Sequence, residues 1–173
     1  TGGEVYGVYV TGESSVTISG LWLSGVQGAP AAGSYNAHRG GHARGIVVDQ
    51  GASLNMDHVF ATAVVPGSGS KGNTDARASV VHANGTGAVS VDHLTCYDVG
   101  LATTGGPDGT CVHAGAEQSA AVTVRNSILS TTTGPCLENV SQSTASLVVS
   151  WSDFWACGTG VGDHAIRMSS CLY

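Results

Sequence analysis

The amino-acid sequence predicts an all-β chain: short strands stacked in parallel as a solenoid of about six coils, with three short strands per coil. Composition, an internal repeat and a recurring strand ahead of each repeat predict it. Among 173 residues, 26 are Gly, 4 are Pro and 10% are charged. Small, β-branched and turn-prone residues favour many short strands. No window carries a sustained apolar stripe of period 3.6, so almost no helix is expected.

The repeat is VTISGLWL at 16–23, LNMDHVFA at 54–61, VSVDHLTC at 89–96, VTVRNSIL at 122–129 and VSWSDFWA at 149–156. Positions one and three are apolar each time, and position six usually is. Two strands with a bend at position five explain this, because a strand has a side-chain period of two and the bend resets it. Position five is Gly20, His58, His93, Asn126 and Asp153, the residue types that best tolerate positive φ. The Asp57-His58 and Asp92-His93 pairs are therefore expected at corners, the acid facing solvent, rather than as a duplicated acid-base dyad.

A further strand precedes each unit: GVYVT, IVVDQ, VVHAN, CVHAG, CLENV and AIRMS, anchored on Val10, Val48, Val81, Val112, Leu137 and Ile166. These columns together resemble the right-handed parallel β-helix superfamily that includes pectate lyases and polygalacturonases. The likeness is greatest to loosely repetitive extracellular β-helix proteins of bacteria. Asn126 resembles the asparagine ladder of that superfamily. The resemblance covers nearly the whole chain, carries no single enzyme family's motif, and implies that any polysaccharide binds along the outer face of the first strand. Residues 1–173 are expected to form one such domain, cut from a longer secreted chain.

The net charge of −6, with 6 Lys+Arg, excludes the basic face that nucleic acid requires. No apolar run is long enough for a membrane span. Cys96, Cys111, Cys136, Cys157 and Cys171 suit an oxidising, extracellular or cell-surface location. Cys111–Cys136, Cys96–Cys111 and Cys136–Cys157 are all open pairings, and one thiol is left over. No C-x-x-C or Cys/His spacing marks a metal site. No cofactor is expected. A calcium-stabilised repeat is the weaker alternative, since G-G-x-G-x-D does not recur. Asn84 and Asn139 head formal N-glycosylation sequons.

Three groups of residues are candidates for a site. The first-strand column presents Asp49, His82, His113, Glu138 and Arg167 outward, and these would be the catalytic groups of an enzyme. The third strand presents Trp22, Phe60, Thr95, Ile128 and Trp155, an apolar row that either loops, a partner copy or sugar rings would cover. The two longest loops carry His38, Arg39 and His42, then Lys71, Asp75 and Arg77. Trp22, Phe60, Trp155, His38, Arg39 and His42 are the binding candidates. The function expected is a non-catalytic extracellular scaffold or adhesion module, binding glycan or other copies of itself. A polysaccharide lyase or glycoside hydrolase is the alternative. The usual paired carboxylates and calcium-binding cluster of such enzymes cannot be assembled here.

Overall fold

The computed structural model describes residues 3–30, 40–68, 76–100, 109–115, 120–140, 146–158 and 166–169, and no helix occurs among them. The strands are β1 (Val5–Val10), β2 (Ser15–Ser19), β3 (Trp22–Ser24), β4 (Ala43–Val48) and β5 (Ser53–Val64). Then come β6 (Ala78–Ala83), β7 (Ala88–Val99), β8 (Gly109–Ala114), β9 (Ala121–Arg125) and β10 (Ile128–Thr132). The last are β11 (Leu137–Asn139), β12 (Ser146–Ser150), β13 (Asp153–Cys157) and β14 (Ile166–Ser169).

These strands form two parallel sheets. One has five strands in the order β1-β4-β6-β8-β11, and the other has nine. This corrects the expected six-coil solenoid with three short strands per coil, and with it the resemblance to the right-handed parallel β-helix superfamily. The second and third strands of each repeat belong to one sheet. β5 and β7 each run 12 residues without interruption. Their ladder holds on both sides of the bend, from Asp57↔Asp92 to Val59↔Leu94. A single left-handed residue bends such a strand without ending it.

The bend residues are those the composition of position five suggested, with one exception. Gly20 (φ 67°), His58 (51°), His93 (50°) and Asn126 (49°) all adopt the left-handed region. The fifth member is Trp151 (φ 52°), because Leu147, not Val149, pairs with Val122. An apolar pattern of period two is unchanged by a shift of two, so the pattern could not separate Asp153 from Trp151. A bulky residue with positive φ is strained by roughly 1–2 kcal/mol. Trp151→Asn is therefore expected to raise the urea midpoint, with a gain of about 1 kcal/mol. A lower midpoint would mean that the indole makes contacts worth more than the strain.

The core lies between the sheets, built from stacked rows such as Leu54, Val89, Val122 and Leu147. Met56, Leu94, Leu129 and Leu137 are fully buried; each such side chain contributes about 1.5–3 kcal/mol over exposure. In β4, β6 and β8 almost every residue is buried, the polar Ser79, His82, Thr110 and His113 among them. Polar side chains also enter the core in register: the buried Ser127 Oγ accepts from Leu94 N, and the buried Ser152 Oγ accepts from Ser127 N.

Several glycines are explained at one corner, where backbone packs on backbone. Gly28 N donates to Val65 O, Gly41 N to Ala29 O and Gly67 N to Gly41 O. A Cβ on Gly41 would lie 1.9 Å from Gly3 O, and one on Gly67 1.9 Å from Ala29 O. No side chain fits between these segments. The stack delivers His42 to the mouth of the site described next.

Two disulfides join the sheets: Cys96 (β7) to Cys111 (β8), and Cys136 (beside β11) to Cys157 (β13). They fit an oxidising compartment. No helix among the described residues is long and apolar enough to cross a membrane. Cys171 lies outside the described residues.

Candidate functional site

Three residues on neighbouring rungs of the five-stranded sheet make the site: His82 on β6, His113 on β8 and Glu138 on β11. The imidazoles stack with centroids 4.6 Å apart and planes 15° from parallel. His113 Nδ1 lies 2.8 Å from Glu138 Oε2. On the carboxylate's other oxygen, Arg77 Nη1 donates to Oε1 at 3.1 Å.

A reset of the strand alternation widens this face. Val80 and Val81 are both fully buried in the core cluster, as are Cys111 and Val112. Two consecutive inward residues return Arg44, Ser79 and Thr110 to the side of His82 and His113. All five line one pocket of about 330 Å³, together with His42, Arg77 and Glu138. His42 is oriented by Arg77, whose backbone N–H donates to Nδ1 at 2.9 Å. The neutral ring then carries its proton on Nε2, which faces Glu4 at 4.0 Å. Arg44 also reaches Glu4, at 3.7 Å.

Burial sets the protonation of these groups. His82 is 8% exposed. Desolvation first, then the nearby His113, Arg44 and His42, pushes its pKa down to about 2, so the ring is neutral. His42 is also lowered, by burial and by Arg44. Burial pushes the Glu138 carboxyl up, but the hydrogen bond and charge of His113 and the charge of Arg77 outweigh it. Glu138 ends below the usual carboxylate range and is ionised. The pocket thus offers two guanidinium groups, an imidazole oriented by a carboxylate, a neutral buried imidazole and two hydroxyls.

The sequence-derived candidates divide. His82, His113 and Glu138 stand together as expected, and His42 joins them. Asp49 does not: the residue beside His82 is Val47, and Asp49 accepts instead from Tyr9 Oη at 2.8 Å. Arg167 belongs to the other sheet, where it pairs with Val148. His38, Arg39, Lys71 and Asp75 lie outside the described residues. Trp22 and Phe60 are neighbours in a T-shaped contact at 5.2 Å. Trp155 lies off their row, which ends on Asp153 beside Ile128. Among the described residues of the row, Trp22 is 73% and Ile128 50% exposed. Asn139 is buried, so its sequon does not present an accessible side chain. Sequence reasoning missed Arg44 and Glu4. Strict alternation from Ile46 turns Arg44 toward the core, and no residue type announces the reset.

No protein-family model, curated protein or solved structure matches this chain.

Proposed function

We propose that this chain is an extracellular recognition module whose pocket binds an anionic group, such as the carboxylate of an acidic sugar. One observation carries the reading. In a chain of net charge −6, two of the 6 Lys+Arg and three of the 7 His line a single pocket. Guanidinium matches a carboxylate in two-pronged geometry. Glu138 and Glu4 hold Arg77 and Arg44 in place without filling the pocket's donor capacity. Neutral His82 and the hydroxyls of Ser79 and Thr110 supply the uncharged contacts that hydroxyl-rich ligands need.

Retention on immobilised polygalacturonate and on a neutral glucan tests this. The wild-type chain is expected to be retained by the acidic polymer alone, and less so as salt rises. Arg77→Ala and Arg44→Ala are each expected to weaken retention about tenfold, the worth of one charge-assisted hydrogen bond. Equal retention by the neutral polymer, or indifference to both substitutions, overturns the proposal.

The 2.8 Å pairing of His113 with Glu138 favours a second reading, in which binding leads to cleavage. A carboxylate that fixes one imidazole nitrogen leaves the other to act as a base. Beside an arginine that neutralises the substrate carboxylate, such a base removes the proton on the α-carbon. Expulsion of the glycosidic oxygen then gives an unsaturated sugar. Ultraviolet absorbance from unsaturated ends, lost in His113→Ala while retention persists, is the result expected of a lyase. Retention without such absorbance leaves a binding module.

A further inference from the structure

On the nine-stranded sheet, the two Asp-His corners fall on adjacent rungs, because Asp57 pairs with Asp92. Both histidines hold left-handed backbone, φ 51° and 50°, which throws their rings to the same side. The rings stack 4.6 Å apart at 14°. The Asp57 carboxylate bridges them, with Oδ2 2.7 Å from His58 Nδ1 and Oδ1 3.1 Å from His93 Nδ1. One ligand atom from each of Asp57, His58 and His93 lies within 4.8 Å of the others.

We infer that Asp57, His58 and His93 form a binding site for a divalent transition-metal ion of the Zn²⁺ or Cu²⁺ type. Two imidazole nitrogens and a carboxylate oxygen are the donor set such ions select, whereas calcium and magnesium take oxygen cages. The ligands sit on paired strands, so their Cα positions are fixed before an ion arrives. The His58 and His93 side chains are 66% and 48% exposed, which leaves the rings free to tilt toward a common point. Asp92 adds a second reason. It stands directly opposite Asp57, and like charges opposite one another on neighbouring strands repel. A divalent cation relieves that repulsion. Asp92 Oδ1 is 3.2 Å from His93 Nδ1 and accepts from Asn126 Nδ2 at 2.8 Å. It is therefore placed as the residue that orients His93 or supplies a fourth ligand. The open side of the cluster leaves the remaining coordination positions to water or to a donor from another molecule.

The test is calorimetric titration of the untagged, chelator-stripped chain with zinc chloride. One saturable site is expected, with affinity lowered about tenfold or more in His58→Ala, His93→Ala and Asp57→Asn. His113→Ala, which alters the pocket on the other sheet, is expected to bind zinc as the wild type does. Circular dichroism and urea midpoints check that the variants are folded. Copper(II) added to the wild-type chain is expected to broaden the ring-proton signals of His58 and His93 first, a readout that needs no substitution. Zinc affinity unchanged in all three variants, loss of binding in His113→Ala alone, or copper broadening confined to His42, His82 and His113 overturns the inference.

Discussion

Replacing Cys96 and Cys111 together by alanine is expected to lower the free energy of unfolding by about 3 kcal/mol, the loop-closure value for a bridge spanning some 15 residues. The bridge closes a sequence separation of 15 and joins β7 of one sheet to β8 of the other. Both cysteines are fully buried in the core cluster. Their loss gives the unfolded chain freedom that the bridge denied it, and leaves the sheets joined by apolar contact and the Cys136–Cys157 bridge. The Cys136–Cys157 bridge, with separation 21, is expected to contribute a similar amount. Urea titration measures both. Each double substitution is expected to lower the midpoint by roughly 1–2 M, given an m-value of about 2 kcal/mol/M for a chain of this size. A midpoint unchanged by the Cys96/Cys111 substitution would mean that this pairing does not hold the folded chain together.

Acid is expected to destabilise the fold through His82. Its pKa is about 2 in the folded chain against 6.5 ordinarily. Between those values the unfolded chain binds a proton that the folded chain refuses, so stability rises with pH in this window. It is complete above 6.5 and falls as pH drops below it, with a slope of roughly 1.4 kcal/mol per pH unit. His42, also lowered, acts in the same direction. Glu138 adds its own loss only at lower pH, since its depressed pKa stabilises the fold above the ordinary 4.5. Unfolding midpoints at steps from pH 7 to 5 therefore isolate the histidines. His82→Phe keeps a flat ring against His113 and removes the titrating nitrogen, so its slope should be visibly shallower than that of the wild type. Parallel slopes in the two proteins would show that His82 is solvated when folded.

The two proposed sites differ in what they ask of the fold. The pocket depends on burial: it is lined by groups whose protonation the surrounding protein sets, and a ligand there meets little competing water. The Asp57–His58–His93 cluster depends on register, since exposed side chains act together only where the backbone holds them on adjacent rungs. The proposed zinc site and the proposed anion pocket belong to opposite sheets, so either one can fail without the other.

Legibility in the sequence followed the same division. Bend residues were visible because positive φ restricts residue type, and His58, His93 and Asn126 occupy those corners. Pairing of His82 with His113, and of His113 with Glu138, was visible because each directly follows a recognisable apolar anchor. Asp49 and Trp155 were misplaced for a single reason. A two-residue shift leaves an alternating pattern intact, and only the hydrogen-bonded ladder distinguishes Val47 from Asp49 beside His82, or Asp153 from Trp155 beside Ile128. The number of sheets was misread because a bend and a strand end look alike in sequence. Arg44 was hidden by the paired inward residues that follow it.

By itself, then, the sequence determined the all-β class, the repeat and the corners at Gly20, His58, His93 and Asn126, because each of these is a local property of one residue or of a period of two. The tertiary structure alone decided the register, the merging of the strands into two sheets, the disulfide pairing and the meeting of Arg44, Arg77, His82, His113 and Glu138 around one pocket. Those depend on contacts between residues far apart in the chain, and no local preference encodes which distant partner arrives.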